Sequence, residues 1–211
     1  PLSVAVAYEL SDGCSMGCSF CGLSAPKLSR FFEYTHSNAR LWEKILEITK
    51  EVFGGAYFSC CYHATEPADN PDYPNFIRRF FEITGYVPQT TTAAPLRKME
   101  WTEHILELRK LSPTFFDRFS IHSPKMLAKI HQVFSPMDLA KIPLVMLGKD
   151  SLTQPVSSGR ALEPGVSEQT IECTCGFIVN MCRQTIELVL PCGADSAHPN
   201  GYALLAREPF S

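Results

Sequence analysis

The chain has 211 residues, a formal net charge of −3 and 45% hydrophobic residues, so it can bury a full core in one large domain. With 19 Lys and Arg against 22 Asp and Glu there is no positive excess to drive binding to a phosphate backbone. Apolar runs reach only about eight residues, too short for a membrane-spanning helix, and the apolar start Pro1 to Tyr8 lacks the basic residues of a secretory signal.

Nine cysteines is an odd number, and the aliphatic content supplies a core without staples. These thiols therefore read as metal ligands or reactive groups rather than as a disulfide framework. The start at Pro1, without Met and close to the densest motif, reads as a portion of a longer protein.

Strand and helix signals alternate along the chain. Val4 to Tyr8 is a short apolar strand followed by a loop with Gly and Ser. Ser37 or Asn38 can cap a helix to about Phe53, with Leu41, Ile45, Ile48 and Val52 on its inner face and Gly54-Gly55 at its end. Ala56 to Tyr62 reads as the second strand. Asn75 to Thr84 follows as a helix with Phe76, Phe80 and Ile83 inward, stopped by Gly85. Tyr86 to Thr92 is a β-branched run, Trp101 to Leu111 a helix, and Phe115 to Ile121 the next strand. Pro124 to Val133 and Pro136 to Ile142 are short helices, each with Ser before Pro at its start, and Leu144 to Leu147 is a buried strand. Asp150 to Gln169, rich in Pro, Ser and Gly, reads as a flexible loop, and Ile171 to Asn180 with Thr185 to Leu190 as a β-hairpin. Alternation of this kind implies βαβ units, a parallel sheet and function at the carboxyl ends of the strands.

The chemistry concentrates in the loop after the first strand, Cys14-Ser-Met-Gly-Cys18-Ser-Phe-Cys21. Three thiolates at C-x3-C-x2-C spacing can hold three irons of a cubane cluster and leave the fourth open. Gly17 permits the tight wrap, and Phe20 can shield the cluster from water. A zinc loop completed by a distant Cys or His is the competing assignment, although no second C-x2-C pair exists to complete it.

These residues resemble the radical S-adenosylmethionine (SAM) superfamily, whose motif is this triad with an aromatic before the third Cys. After the second strand that family carries a Gly-Gly-Glu-type segment whose backbone receives the SAM amino group. Here Ala64-Thr65-Glu66-Pro67 stands in its place, continued by Asn70-Pro71-Asp72. Glu66 also reads as an ordinary carboxylate at a helix N-terminus. A narrower resemblance, to radical SAM peptide epimerases of ribosomal natural-product pathways, rests on several segments. These are Glu9 to Cys14, Cys21 to Lys27, Pro88 to Thr92, Arg118 to Ile121, Gly176 to Met181, Leu190 to Cys192 and Asn200 to Tyr202.

The resemblance implies an α/β fold, an incomplete (β/α)6 TIM-like barrel with a C-terminal β-hairpin. The core would be residues 1–150, followed by a loop 151–169 and the last strands 170–211. It implies a [4Fe-4S] cluster on Cys14, Cys18 and Cys21, and SAM beside Phe20, Ala64, Thr65, Glu66 and Ser120. Cleavage of SAM would give a radical that takes the Cα hydrogen of a ribosomally made precursor peptide, and an electron donor such as flavodoxin or ferredoxin would reduce the cluster. Related maturases excise part of a residue or form crosslinks, and a non-catalytic iron-sulfur or zinc module is the alternative from another class. An oxygen-sensitive cluster places the protein in the cytoplasm.

Inversion at Cα needs a hydrogen atom from the opposite face, which a thiol gives readily. Cys192, at the end of the last strand beside Pro191 and Gly193, is the candidate catalytic donor. Cys60 and Cys61 read as buried strand thiols, and Cys173, Cys175 and Cys192 also suit an auxiliary metal site. Ser120 reads equally as a core hydroxyl, Thr90 to Thr92 as strand formers or SAM-pocket lining, and His63 and His122, near strand ends, as structural groups more often than catalytic ones.

Overall fold

Residues 4–54, 59–112, 117–147, 151, 157–162 and 170–210 of the computed structural model are described. The first strand, β1 (Val4–Glu9), alternates its faces: Val6, Tyr8 and the following Leu10 join the main core under the helices, while Ala7 joins a smaller cluster with Cys60, Ile178 and Val189. Two short strands, β2 (Ser11–Asp12) and β3 (Arg30–Phe31), pair antiparallel and bracket the cysteine loop.

Helix α1 (His36–Phe53) is capped by Thr35, whose hydroxyl accepts from the Asn38 N–H at 3.3 Å, so the cap precedes the expected Ser37 or Asn38. Its fully buried stripe is Trp42, Leu46 and Thr49; of the expected face Leu41 and Ile45 pack against the core, whereas Ile48 and Val52 are 59% and 66% exposed. The reason is aromatic. Trp42 meets Tyr8 and Phe76 edge-on at 4.9 and 5.8 Å, and Tyr8 donates to the Thr49 hydroxyl at 2.6 Å. These contacts rotate the helix away from its aliphatic edge.

Then follow β4 (Ser59–Cys60), a 3-10 turn (Pro67–Asp69), α2 (Tyr73–Thr84), β5 (Thr91–Thr92) and α3 (Met99–Arg109). Next come β6 (Arg118–Ile121), α4 (Pro124–Val133), α5 (Pro136–Leu139) and β7 (Leu144–Met146). Phe76 and Phe80 are buried on α2, Ile105 and Leu108 on α3, and Ser123 and Ser135 cap α4 and α5 as the sequence indicates. Residues 56–58 of the second expected strand and 115–116 of the fourth lie outside the described residues, as does most of the expected loop 150–169, which contributes a short turn (Gly159–Ala161).

The hairpin is β8 (Thr174–Asn180) with β9 (Thr185–Pro191), extended by a strand the sequence did not signal, β10 (Tyr202–Pro209).

Strands order as β10-β9-β8-β1-β4 in one sheet and β5-β6-β7 in another, and a parallel bridge from Cys60 to Gln89 joins them. The parallel strand β8 pairs with β1, not with β7. The result is a mixed α/β fold of parallel βα units whose sheets are not closed among the described residues. Gly176 marks the β1–β8 register shift, where a Cβ would lie 2.3 Å from the Ala5 carbonyl oxygen.

Candidate functional site

Cys14, Cys18 and Cys21 sit half-buried on the loop that leaves the carboxyl end of β1. Cys14 starts the loop with a parallel bridge to Lys27, donating to Pro26 O at 2.8 Å and accepting from Leu28 at 3.2 Å. The Met16 N–H donates to Cys14 Sγ and the Ala25 N–H to Cys21 Sγ, both at 3.4 Å. Gly17, between two of the thiols, is in the left-handed region at φ 60 with no atom within 4 Å of where a Cβ would be.

Burial pushes the Cys14 thiol up to about 11, with the Glu66 and Asp69 carboxylates adding to it and Met16 N–H opposing, and burial likewise raises Cys18. Bound metal ions reverse that bias by taking the thiolate.

Among the described residues no three His, Cys, Asp or Glu close on a point that could hold a single metal ion. A cubane asks for something else, since each thiolate binds a different iron. The donor set, two backbone N–H groups aimed at sulfur and the open space at Gly17 fit such a cluster. Phe20 stands edge-on to His122 at 5.5 Å, and His122 Nε2 lies 4.0 Å from Cys18 Sγ. Burial holds the His122 imidazole below its ordinary pKa.

The segment after β4 is tied to this loop by residues that the motif spacing alone did not single out. Asp69 accepts from the Ser15 N–H at 2.8 Å, the Ser15 hydroxyl at 2.5 Å and Arg97 at 2.9 Å. Asn70, fully buried, donates to Leu10 O at 2.8 Å and Phe32 O at 2.9 Å and so ties both ends of the loop. From the other side Arg160 donates to Cys18 O at 2.9 Å and Ala25 O at 3.0 Å, and its own N–H donates to Cys21 O at 2.9 Å.

Glu66 is buried, and both of its oxygens are engaged by protein. Thr92 Oγ1 and the Ala68 N–H (3.1 Å) donate to one, and the Ala93 N–H (2.8 Å) to the other. Burial raises its pKa against these hydrogen bonds. It caps the 3-10 turn, so its side chain acts as the helix-terminal carboxylate that the sequence also allowed. Ala64 and Thr65 are half-buried. The Ala64 N–H donates to Glu9 Oε1 at 3.0 Å, and among the described residues the carbonyls of Ala64 and Thr65 accept no hydrogen bond.

A buried ionic network lies beside them. His63 Nε2 is 2.5 Å from Glu172 Oε2, and its Nδ1 is 3.8 Å from Glu9 Oε1, with all three side chains at most 6% exposed. Glu9 also accepts from Asn180 at 2.8 Å. Burial alone would lower the His63 pKa, but the two carboxylates outweigh it and lift it to about 10; His63 in turn draws Glu9 and Glu172 below their ordinary values against their own burial. Tyr202 packs on His63 at 5.8 Å and lines a surface cavity of about 340 Å³ with Glu187, His198 and Arg207.

Ser120 is buried in β6. It shares a face with Arg118, whereas Phe119 and Ile121 fill the opposite core. The Arg118 Nε is buried without a hydrogen-bond partner among the described residues.

Cys60, at the end of β4, and Cys61, just after it, are buried thiols, and Cys173 and Cys175 are exposed. Cys192 is half-buried, and its N–H donates to Gly201 O at 3.0 Å. Because β9 runs antiparallel to β8, the strand end that Cys192 follows is not the carboxyl end of a parallel strand, where function is expected. The connection after it reaches the cysteine loop by another path: Gly159 N–H donates to Pro199 O at 2.5 Å, next to Arg160 on Cys21. Among the described residues no helix is long and apolar enough to cross a membrane.

No protein-family model matches this chain. The uncharacterized protein y4wI of Sinorhizobium fredii (strain NBRC 101917 / NGR234) is 40% identical over 220 residues, covering 97% of this chain and 43% of that protein. The chain therefore spans less than half the length of the curated relative it matches. Among solved structures, that of BtrN in complex with AdoMet and 2-DOIA superposes with a TM-score of 0.55 over 88% of this chain and 72% of that one, at 12% identity. At that identity the likeness is one of fold: the chain shares the mixed α/β architecture of a protein crystallised with AdoMet.

Proposed function

We propose that this chain is the core of a radical SAM enzyme that acts on a peptide, epimerising L-residues at Cα. The observation that carries the reading is the C-x3-C-x2-C loop at the carboxyl end of β1, tied by Asp69 and Asn70 to the segment after β4, in a fold shared with an AdoMet complex. A [4Fe-4S] cluster with SAM supplies, when bound, one-electron cleavage of the sulfonium and with it a carbon radical that abstracts hydrogen. Cys14, Cys18 and Cys21 hold the three ligated irons.

The chain's own residues do the positioning. Carbonyls of Ala64 and Thr65, free of internal partners among the described residues, would accept from the SAM ammonium, and Glu66, whose oxygens are engaged by protein, would fix their turn. The unpartnered Arg118 Nε suits the SAM carboxylate, and Ser120 on the same face suits a hydrogen bond beside it. Phe20 covers the loop next to His122 and limits water at the cluster. A ribosomally made precursor peptide is the substrate, and a flavodoxin or ferredoxin the electron source.

The test is anaerobic reconstitution of the full-length protein with iron and sulfide, followed by SAM and dithionite. 5′-Deoxyadenosine is the expected product. Its absence from a protein that holds its cluster would reject the enzyme reading and leave an iron-sulfur carrier.

A further inference from the structure

Each thiol of the loop has a nitrogen of another residue near its sulfur. For Cys14 and Cys21 these are backbone N–H groups, of Met16 and Ala25, both at 3.4 Å. For Cys18 it is a side chain, the Nε2 of His122 at 4.0 Å, which projects from the end of β6 on a different part of the chain. The Phe20 ring, edge-on at 5.5 Å, holds the imidazole in that orientation.

Resting on the cluster reading above, we propose that His122 is a positioning residue that donates a hydrogen bond from Nε2 to the Cys18 sulfur and thereby sets the reduction potential of the cluster. The physical reason is charge. A reduced cluster carries one more electron than an oxidised one, and part of that charge resides on the ligating sulfurs. A donor at sulfur stabilises the reduced state more than the oxidised state, so it raises the potential. The backbone donors on Cys14 and Cys21 are fixed by the loop fold, whereas the group that reaches Cys18 from outside the loop is one side chain. The β6 strand that His122 follows also carries Arg118 and Ser120, so the tuning group and the proposed SAM-binding groups stand on adjoining residues of one segment.

The experiment is a redox titration of the reconstituted full-length protein without SAM, followed by electron paramagnetic resonance, on wild type, His122→Ala and His122→Gln, with iron counted in each. His122→Ala should keep its iron but show a several-fold lower ratio of reduced to oxidised cluster at the same solution potential. His122→Gln, whose amide can donate, should recover most of that loss. An unchanged ratio in both variants at full iron content overturns the proposal. Loss of iron in both variants also overturns it, since His122 would then be a ligand. Wild-type protein that takes up no cluster instead removes the reading on which the inference rests.

Discussion

At the residue scale the three loop cysteines differ from the other six in company rather than in chemistry. The Cys14 and Cys21 sulfurs accept from backbone N–H groups and Cys18 lies 4.0 Å from His122 Nε2, while Cys60 and Cys61 are packed away. Replacing Cys14, Cys18 or Cys21 by Ala should therefore abolish the absorbance at about 400 nm typical of thiolate-ligated clusters, together with SAM cleavage; a variant that keeps a full cluster would show that another ligand is used. His63 makes a different prediction, because it is held cationic between Glu9 and Glu172. Its pKa rises from 6.5 unfolded to about 10 folded, so its contribution to stability is complete below pH 6.5 and fades as pH climbs toward 10. The carboxylates, lowered from 4.5, lose their contribution only as pH falls below that value. Denaturant unfolding should show stability falling between pH 6.5 and 10, and His63→Gln should flatten that slope while costing about 3–5 kcal/mol, the usual penalty for breaking a buried ion pair. An alkaline slope that persists in the variant would assign it to other groups.

At the scale of elements, what depended on neighbours in sequence was legible and what depended on neighbours in space was not. The Ser-Pro starts of α4 and α5 and the Gly ends of α1 and α2 are local chemistry, and they stand where the sequence marks them. On α1 Leu41 and Ile45 pack inward as expected, but Ile48 and Val52 do not, because Trp42 and Thr49 are chosen by Tyr8 and Phe76, which come from other elements. The triad was visible in its spacing, but the ties that hold it, Asp69 to Ser15 and Arg160 to Cys18, join residues 54 and 142 positions apart. These ties predict a graded effect. Asp69→Ala frees the Ser15 and Arg97 donors, and losing such a charged set costs about 1–3 kcal/mol. Iron retained after gel filtration of the reconstituted protein should fall in Asp69→Ala, with far-UV circular dichroism unchanged. Full retention would mean that the loop is preformed without that tie. Gly176→Ala tests the β1–β8 junction, since its methyl would overlap Ala5 O; a loss of about 1–3 kcal/mol is the usual cost of such overpacking, read as a melting point lower by several degrees. An unchanged melting point would show that the strands part there at no cost.

Across the whole molecule, the joining of β8 to β1 brings Asn180 onto Glu9 and Glu172 onto His63, so the hairpin is braced against the same turn that carries Ala64 and Thr65. Periodicity cannot disclose that pairing, because strand order is set by tertiary contacts and not by the pattern within each strand. The pairing also moves the argument about Cys192. It stands past the antiparallel end of β9, in a connection whose Pro199 reaches the segment over Cys21, so it can serve the site only from that connection. Co-expressing the full-length protein with candidate precursor peptides in deuterated water reads out the chemistry. Epimerisation by a solvent-exchangeable donor adds one deuterium at each inverted Cα, whereas excision or crosslinking changes the mass differently. If Cys192 is the donor, Cys192→Ala should retain its iron and still produce 5′-deoxyadenosine, and deuterated D-residues should disappear. If it binds an auxiliary metal, iron should fall with the substitution. If it is only a packed thiol, the variant should lose about 1 kcal/mol of stability, as for removal of one small buried group, and continue to invert residues. Normal deuterium incorporation by Cys192→Ala would take this residue out of the mechanism and turn the search toward Cys173, the exposed thiol next to Glu172 of the His63 network.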